Sequence, residues 1–434
     1  MRLSTANLYD ASIANLQRRQ STMQEQQQQL TSGKRIALAS DDPTGAARAE
    51  RALASIGRIE ANQRALEASR HSMTLAESAL GDANELLQQA RETVLAAGNA
   101  SYSDAERKGL ANKLQGIRSQ LLSIANRPDG ASGYLFSGQG ASSPPFLDQA
   151  GGVSYVGVSG TIQTGNIDNF QLTVDGRAAW EQSATGNGSF ETAPGAILPD
   201  PLTGKPLVQL IDPGATAANG GVPVPLVNGI SGRPASGWID SGRVVNPSLL
   251  TGHNYRLDIA GTAPSQTYTV TDQNLGSVVS SGGFKPGQNI VADGMALSVA
   301  GAPVDGDAFA VSGSQHSLKL FDAIDKAIVD LNTSLRTPTQ VAQGNAMALR
   351  DIDAAMGNLQ SVRSQVGERL NNLDGTESRL AALKQYSAEE RSAAEDLDMV
   401  QGISEFQNQQ AGYETALKTY ALVQRMSLFQ YISG

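Results

Sequence analysis

The sequence predicts a mainly α-helical protein with a β-rich insertion, in which both ends of the chain form one long antiparallel helical bundle and the middle forms one or more outer β-domains. Residues 1–136 and 314–434 carry apolar residues at helical spacing. Residues 137–313 are rich in Gly, Pro, Ser, Thr and Val and contain short alternating runs, which are typical of strands and turns. We therefore expect terminal coiled-coil helices over residues 1–40 and 388–434, a long helical bundle over 41–140 and 314–387, and a surface-exposed β-rich domain over 141–313 with a Pro/Gly-rich insertion at about 180–248.

The first helix is predicted from apolar residues and Gln spaced alternately three and four apart. This is the a/d pattern of a coiled-coil seam, and it recurs near the C-terminus. The N-terminal seam consists of Ala6, Tyr9, Ile13, Leu16, Gln20, Met23, Gln27 and Leu30. The C-terminal seam consists of Ile403, Phe406, Gln410, Tyr413, Leu417 and Tyr420.

Each seam needs a partner, because a lone helix leaves its apolar stripe in water. Either the two ends pair within one chain, or they pack with neighbouring subunits. Buried Gln is costly in an isolated seam but tolerable where further chains supply hydrogen bonds, which favours the second interpretation. We expect the assembly interface to consist of Tyr9, Ile13, Leu16, Met23, Leu30, Ile403, Phe406, Tyr413, Leu417 and Tyr420.

The second helix is predicted to begin at Asp42-Pro43, since an Asp cap followed by Pro in the first turn is a start signal. Large residues then recur every seven positions, at Ile59, Leu66, Met73, Leu80, Leu87 and Val94. Mostly small residues stand three positions later, at Asn62, Ser69, Ala76, Ala83, Ala90 and Ala97. This pattern lets another helix approach closely, and Gly98-Asn99 ends the run.

The remaining helices are predicted from caps and stripes. Ser103 and Glu106 form a capping box that starts a third helix. In the C-terminal arm, Phe321, Ile324, Ile328, Leu331 and Leu335 are expected to share one apolar face. A longer helix restarts at Thr337-Pro338, and Arg363, which interrupts its stripe, is expected to snorkel or to pair with an acid.

Strands are predicted in the middle of the chain from alternating or β-branched runs. These runs lie at residues 153–158, 170–174, 255–259, 268–271, 295–299 and 308–311. Residues 192–248 are crowded with Pro and Gly and leave open whether they form loops or a second β-module.

Length, charge and composition exclude several classes of protein. The 434 residues are too many for one compact core. The net charge of −9 argues against a nucleic-acid partner, because phosphate binding needs a basic face. The lack of cysteine excludes disulfides and thiolate chemistry. The N-terminal segment has no apolar run of signal-peptide length, and no stretch has the roughly 20 apolar residues that span a bilayer. We expect neither a cleaved signal peptide nor membrane insertion.

No residue pattern points to enzyme activity. His71, His253 and His316 lack metal-ligand spacing, and no nucleotide-binding or nucleophile motif occurs. We therefore expect no catalytic residue, cofactor or metal. The basic pairs Arg18-Arg19 and Lys34-Arg35 are too sparse for a nucleic-acid patch and are expected on a solvated face or in intersubunit salt bridges.

Four motifs resemble the flagellin superfamily. Residues 30–36 (LTSGKRI) and 40–45 (SDDPTG) are similar to the segment between the first two helices of that family. Residues 133–138 (GYLFSG), 295–309 and 413–432 resemble its hook–filament junction branch more closely than flagellin itself, whose Leu-Leu-Arg-like tail is absent here. The resemblance covers about residues 1–140 and 314–434 and part of the middle.

The resemblance implies a secreted structural subunit of the extracellular bacterial flagellum. Its expected partners are the other hook-associated junction protein, flagellin, identical subunits in a ring-like zone, and an export chaperone of the flagellar type III pathway. The chaperone is expected to hold Tyr413, Leu417, Tyr420 and Leu428. A flagellin filament subunit, or a helical tip or adhesin protein of another secretion machine, remains the alternative.

Overall fold

The computed structural model describes the backbone of residues 5–432 except 100, 132, 150, 166–167, 195–197, 200–205, 208–226, 229–232 and 235. Side chains are described for residues 10–422, with the same gaps and without residues 195–235. Much of the predicted Pro/Gly-rich insertion therefore lies outside the described residues.

The described helices lie at both ends of the chain, as the sequence predicts, with one short helix in the middle. They are α1 (Thr5–Ser32), α2 (Pro43–Ala97), α3 (Asp104–Ala125), α4 (Gly176–Trp180), α5 (Leu320–Asn332), α6 (Pro338–Glu395) and α7 (Met399–Ile432). The capping box that starts α3 is present, with Ser103 accepting from the Glu106 amide. The mainly α-helical fold class with a β-rich insertion is confirmed.

The described strands lie between α3 and α5. In chain order they are β1 (Phe146–Gln149), β2 (Gly152–Tyr155), β3 (Gln163–Thr164), β4 (Phe170–Gln171), β5 (Ser183–Ala184), β6 (Phe190–Pro194), β7 (Leu198–Pro199), β8 (Pro206–Leu207), β9 (Val227–Asn228), β10 (Arg233–Pro234), β11 (Gly237–Ile239), β12 (Arg243–Val244), β13 (Tyr255–Ala260), β14 (Thr267–Asp272), β15 (Ser277–Gly283), β16 (Asn289–Ala292), β17 (Met295–Gly301), β18 (Ala308–Gly313) and β19 (His316–Leu318). A 3₁₀ turn spans Pro247–Leu249.

The described strands form two larger sheets, and the other described strands pair as two-stranded ribbons. One sheet has the antiparallel order β15-β14-β13-β18-β6, and in the other β17 pairs with β11, β12 and β16. Strand β13 alternates as predicted, with Tyr255, Leu257 and Ile259 buried. They share one core with Phe309 of β18 and Leu297 of β17.

The chain divides into two compact units. Unit 1 comprises Met1–Ala65 and Asp374–Gly434, and unit 2 comprises Leu66–Leu373. In unit 2 the predicted heptad row of α2 is buried: Leu66, Met73, Leu80, Leu87 and Val94 are each at most 1% exposed. The small companions Ala76, Ala83, Ala90 and Ala97 are fully buried, so neighbouring helices approach the backbone of α2 closely.

A second group of buried side chains joins the unit 2 helices to the first strands. Trp180 stacks on Phe321 of α5 with ring centroids 5.8 Å apart, and Phe146 of β1 and Phe136 meet the same indole edge-on. The apolar face of α5 therefore packs as predicted. Arg363 pairs with Glu77 of α2 at 2.6 Å, which confirms the expected acid partner.

Leu335 corrects the predicted face of α5. The helix ends at Asn332, and Leu335 lies in the following loop with a φ of +64° and 93% of its surface exposed. Its amide donates to Asp104, and the next residue, Arg336, is buried and donates to the Gln340 carbonyl. The loop is held on both sides, so the leucine is forced outward in a left-handed conformation that side chains with a β-carbon disfavour.

Replacing Leu335 with Asn should stabilise the protein. Asn tolerates left-handed backbone better, and the exposed leucine loses no packing, so we expect Leu335→Asn to raise the free energy of unfolding by roughly 1 kcal/mol. Leu275→Asn is the matched control, because Leu275 is 69% exposed and is not among the residues with positive φ. Denaturant unfolding followed by circular dichroism measures both, and equal effects would contradict the backbone explanation.

Candidate assembly interface

Helices α1 and α7 of unit 1 pack against each other in antiparallel orientation. Leu30 lies beside Gly402, and the Arg19 guanidinium lies so close to Gly412 that a β-carbon built there would be 2.7 Å from Nη1. Further along, Leu16 and Tyr420 line one groove. The pairing within one chain, which the sequence left as an alternative, is therefore present.

Only half of the predicted seam lies in this contact. Leu16, Met23 and Leu30 of α1 are partly buried, as are Phe406, Tyr413 and Tyr420 of α7. The alternate positions face solvent: Ile13 is 37% exposed, Ile403 46% and Leu417 41%. Gln20, Gln27 and Gln410, which belong to the same alternate rows, are also exposed. Tyr9 and Leu428 belong to the two helices, but their side chains lie outside the described residues.

Within one molecule, the contact between α1 and α7 therefore uses only one of the two rows of the predicted a/d seam. The less exposed row of α1 consists of Ser12, Leu16, Arg19, Met23, Gln26 and Leu30, which keeps one half of the predicted positions and replaces the other. The side-chain oxygen of Gln26 is buried there with no hydrogen-bond partner among the described residues. Burying such a group costs about 1–3 kcal/mol, so this pairing alone is weak.

A groove of about 510 Å³ opens between α1 and α7. Apart from Tyr420, its wall on α7 consists of small residues, namely Ala411, Gly412, Thr415, Ala416 and Thr419. Asn15 of α1 also lines the groove. Sequence reasoning missed this feature. The signal that could have found it is the run of small residues at helical spacing on α7, which leaves unfilled space where a larger side chain would reach the opposite helix.

The loop between α1 and α2 is bound to the loop between α6 and α7. Gly33 ends α1 with a φ of +71°, and its carbonyl accepts from the Leu397 amide at 3.0 Å. The Arg35 amide donates to the Glu395 carbonyl at 2.8 Å. The C-terminus of α1 and the N-terminus of α7, which form one end of the pair, are thus joined to α2 and α6. We call this place the paired loops (residues 33–45 and 394–398).

The basic pair Lys34-Arg35 lies on a solvated face, as one of the two expectations has it, and both side chains pair with acids of the same chain. Lys34 forms an ion pair with Glu395, and Arg35 lies 3.2 Å from the Asp42 carboxylate and donates to the Ala394 carbonyl at 2.8 Å. The hydrogen bond from Lys34 holds the pKa of Glu395 below its usual range.

Adjacent carboxylates hold the start of α2. Asp41 Oδ2 accepts from the amides of Ala37 and Leu38, and Asp42 Oδ1 accepts from the Gly45 amide at 2.9 Å. The Gly45 amide, followed by the Thr44 hydroxyl, lowers the pKa of Asp42 to about 2. A β-carbon at Gly45 would lie 2.5 Å from Asp42 and 2.6 Å from Ile36, so the turn requires glycine there.

Of the histidines that the sequence singled out, His253 contacts an acid. His253 Nδ1 lies 2.6 Å from Asp272 Oδ2 on β14. Within the described part of the chain, no group of three or more His, Asp or Glu residues could hold a metal ion. Searched over the same residues, no helix has the length and apolar character needed to cross a membrane.

Two family models match the chain and together cover just over half of it. Residues 3–141 match the model described as bacterial flagellin N-terminal helical region, and residues 349–432 match the bacterial flagellin C-terminal helical region. Both α1 and α7, and with them the whole candidate interface, fall almost entirely inside these matches.

Individual relatives agree with the family models. The chain is 32% identical over 203 residues to flagellar hook-associated protein 3 of Salmonella typhimurium, a match that covers 46% of this chain and 60% of that protein, less than two thirds of its length. Among solved structures, it is similar to Xanthomonas campestris FlgL, with 26% identity and a TM-score of 0.61, covering 78% of this chain and 99% of that one. The fold also resembles that of the flagellar junction protein FlgL from Legionella pneumophila, with 24% identity and a TM-score of 0.63, over 80% and 100% of the two chains.

Protonation of Asp42 in acid should destabilise the paired loops. Because its pKa is lower in the folded protein than its ordinary value of 3.8, its stabilising contribution is present at neutral pH and is lost as the pH falls toward about 2. We expect protection of the Gly45 amide from hydrogen exchange, corrected for intrinsic rates, to fall between about pH 5 and about pH 2. Asp42→Asn keeps a capping side chain without the charge, and its protection should stay flat; a parallel fall in both proteins would contradict the assignment to Asp42.

Proposed function

This chain belongs to the flagellin superfamily, and on that premise we propose that it is a structural subunit that joins the hook of the bacterial flagellum to the flagellin filament. Its neighbours are then the other hook-associated junction protein on the hook side, flagellin on the filament side, and identical subunits in a ring-like zone. It acts by occupying a place in the assembly and carries out no reaction.

One observation carries this proposal: the paired terminal helices leave half of their apolar seam in water. Ile13, Ile403 and Leu417 are between 37% and 46% exposed on helices whose other seam residues are in contact. Such surfaces mark interaction sites in soluble proteins. In a family whose members assemble, subunits of the same kind and their relatives are the natural partners for these surfaces.

The junction role is favoured over the filament role by the relatives. The Salmonella protein that matches over 203 residues is a hook-associated protein, whereas the flagellin from Bacillus subtilis matches over 112 residues. The motifs at residues 133–138 and 295–309 point the same way.

Export is proposed to follow the flagellar type III pathway, so that the mature subunit is extracellular. Exposed seam residues such as Leu417 would promote aggregation before assembly unless another protein covered them. We propose that an export chaperone covers Tyr413, Leu417, Tyr420 and Leu428. Titration of the purified chaperone with wild-type chain and with Leu428→Asp tests this, and equal affinities would remove Leu428 from the binding surface.

Deleting the gene separates the junction role from the filament role. If the chain joins hook to filament, the deletion strain should make hooks and release flagellin monomers into the medium, because flagellin has no platform on which to assemble. Electron microscopy of the cells and immunoblotting of the medium measure both. Hooks without any released flagellin would identify the chain as the filament subunit, and normal filaments would contradict both roles.

Leu417→Asp should block assembly while leaving the subunit folded. The side chain is 41% exposed, so the isolated protein should change in stability by less than about 0.5 kcal/mol, whereas burying an unpaired carboxylate in an interface costs several kcal/mol. The matched control is Leu422→Asp on the same helix, where the leucine is 60% exposed and outside the predicted seam. Complementation of the deletion strain, scored by filament number, checks both; full rescue by Leu417→Asp would remove Leu417 from the interface.

A further inference from the structure

The helices and the two larger sheets of unit 2 have separate apolar cores. One core surrounds α2 and includes Ala348 and Ile352 of α6. The other lies inside the two larger sheets, which we call the sheet domain (β6 and β11 to β18), and no described side chain of α6 belongs to it. Each core can therefore stay closed while the contact between the helices and the sheet domain changes.

Two edge strands of the sheet domain lie side by side next to α6. Strand β6 is the last strand of one described sheet, and β11 is the last strand of the other. The Thr192 hydroxyl of β6 donates to the Asp240 carbonyl just after β11 at 2.6 Å, which joins the two edges. Edge strands carry main-chain groups that have no strand partner, so another element has to bind them.

Gln343 of α6 takes the place of a neighbouring strand beside β11. Its side-chain amide accepts from the Ile239 amide at 2.9 Å and donates to the Ile239 carbonyl at 3.3 Å, and the residue is 1% exposed. Two such bonds to one residue are what a hydrogen-bonded pair of an antiparallel ladder provides. The Asp240 amide donates in the other direction, to the Ser298 carbonyl of the sheet domain at 3.0 Å. Gln343 therefore closes the outer edge of β11.

Arg350, two turns further along α6, binds the other edge strand, β6. Its guanidinium donates to the Thr192 carbonyl at 2.9 Å and to the Glu191 carboxylate at 3.1 Å, while its Nε donates to Asp351 at 2.8 Å. The side chain is 5% exposed. A buried charge with its partners fixes a geometry but adds little net stability, because the charges lose their water. We call Gln343 and Arg350 the latch.

The chain enters and leaves the sheet domain through one two-stranded ribbon. Strand β5 pairs antiparallel with β19, and beside them the Thr185 amide donates to the Gln315 carbonyl at 2.8 Å. Between the ribbon and β6 the chain passes Gly186 and Gly188, whose φ angles are +67° and +87°. A β-carbon built at Gly188 would meet no atom within 4 Å, so the backbone has room to turn there. Connecting residues of this kind absorb the dihedral changes of a hinge.

We infer that the latch opens and the sheet domain swings as a folded body about the β5–β19 ribbon before either apolar core opens. Opening returns Gln343, Arg350 and the main-chain groups of Ile239 to water, which replaces the hydrogen bonds that the contact had made. Opening a core would instead expose apolar side chains that are fully buried, such as Leu80 or Leu257. Undocking is therefore the less costly motion of unit 2. It goes beyond the proposed junction role and does not depend on it.

Hydrogen exchange of the full wild-type chain tests the order of opening. After correction for intrinsic rates, the Ile239 amide should exchange roughly tenfold faster than the amides of Leu80 in α2 and Leu257 in β13, because only the latch protects it. Mass spectrometry with residue-level fragmentation measures the rates. Equal rates at all three positions would mean that the latch opens only together with the cores, which would overturn the inference.

The Asp240 amide is the internal control for this measurement. It is bonded within the sheet domain, so undocking should leave it protected while the Ile239 amide exchanges. If both amides exchanged equally fast, β11 would be fraying at its edge without any motion of the domain. That result would contradict the hinge.

A latch variant tests the orientation of the sheet domain. The chain has no cysteine, so spin labels can be placed at Leu95→Cys on α2 and Leu275→Cys between β14 and β15, where the leucines are 59% and 69% exposed. With the latch intact, pulsed electron paramagnetic resonance should give one narrow distance distribution. Gln343→Leu combined with Arg350→Met leaves the edge strands unpaired in the docked state and should broaden the distribution roughly twofold.

The matched control makes the same two substitutions elsewhere on α6. Gln360 is exposed and Arg363 pairs with Glu77 of α2, so Gln360→Leu combined with Arg363→Met should keep the narrow distribution. An unchanged distribution in the latch variant, or equal broadening in the control, would overturn the latch. If circular dichroism shows that the latch variant does not fold, Gln343→Ala, which keeps Arg350, takes its place, and the same outcomes decide.

Discussion

A pair of helices can bury only one face of each partner, and the organisation of unit 1 follows from this constraint. In a regular two-stranded coiled coil, both rows of a heptad seam face the partner helix. In the α1–α7 pair, the row containing Leu16, Met23 and Leu30 takes the contact and the row containing Ile13 does not. The uncovered row is the physical origin of the candidate interface, because covering it requires more helices than this part of the chain supplies.

Unit 2 satisfies the same constraint differently. The large residues of α2 from Met73 to Val94 and their small companions are both buried, because strands and the helices α3, α5 and α6 contribute to one core around them. The companions are mostly alanine, which permits close approach of backbones at little cost in side-chain entropy. A row of large residues beside a row of alanines thus marks a helix completed within the molecule. We propose that a row of large residues beside Gln and exposed Ile marks a helix that is completed by other molecules.

Local signals explain how much of the fold could be predicted. The starts of α2 and α3 depend on Asp42, Pro43, Ser103 and Glu106, whose capping bonds involve neighbours a few residues away, so the sequence identifies them. The prediction for Leu335 is wrong because its apolar spacing continues that of α5, while a tertiary bond to Asp104 and a local bond from Arg336 to the Gln340 carbonyl hold the loop after the helix. The split of the seam was likewise not predictable from spacing, because the register of α1 on α7 depends on Arg19 meeting Gly412, a contact between residues far apart in the chain.

The residues that identify the family hold the paired loops together, and the candidate interface consists of other positions. Gly33 and Arg35 bind the loop before α7, Lys34 pairs with Glu395, and Asp42 caps α2. Each of these groups already has a partner within the chain. Replacing one of them would therefore first displace α1 and α7 relative to α2 and α6. The specificity of the subunit for its partners must then come from side chains that the contacts of the paired loops leave exposed, such as Ile13 and Leu417. We therefore propose that family membership and partner specificity are encoded in different residues: a substitution in the paired loops should impair every contact of the subunit together, whereas a substitution at Ile13 or Leu417 should impair one contact and leave the fold intact.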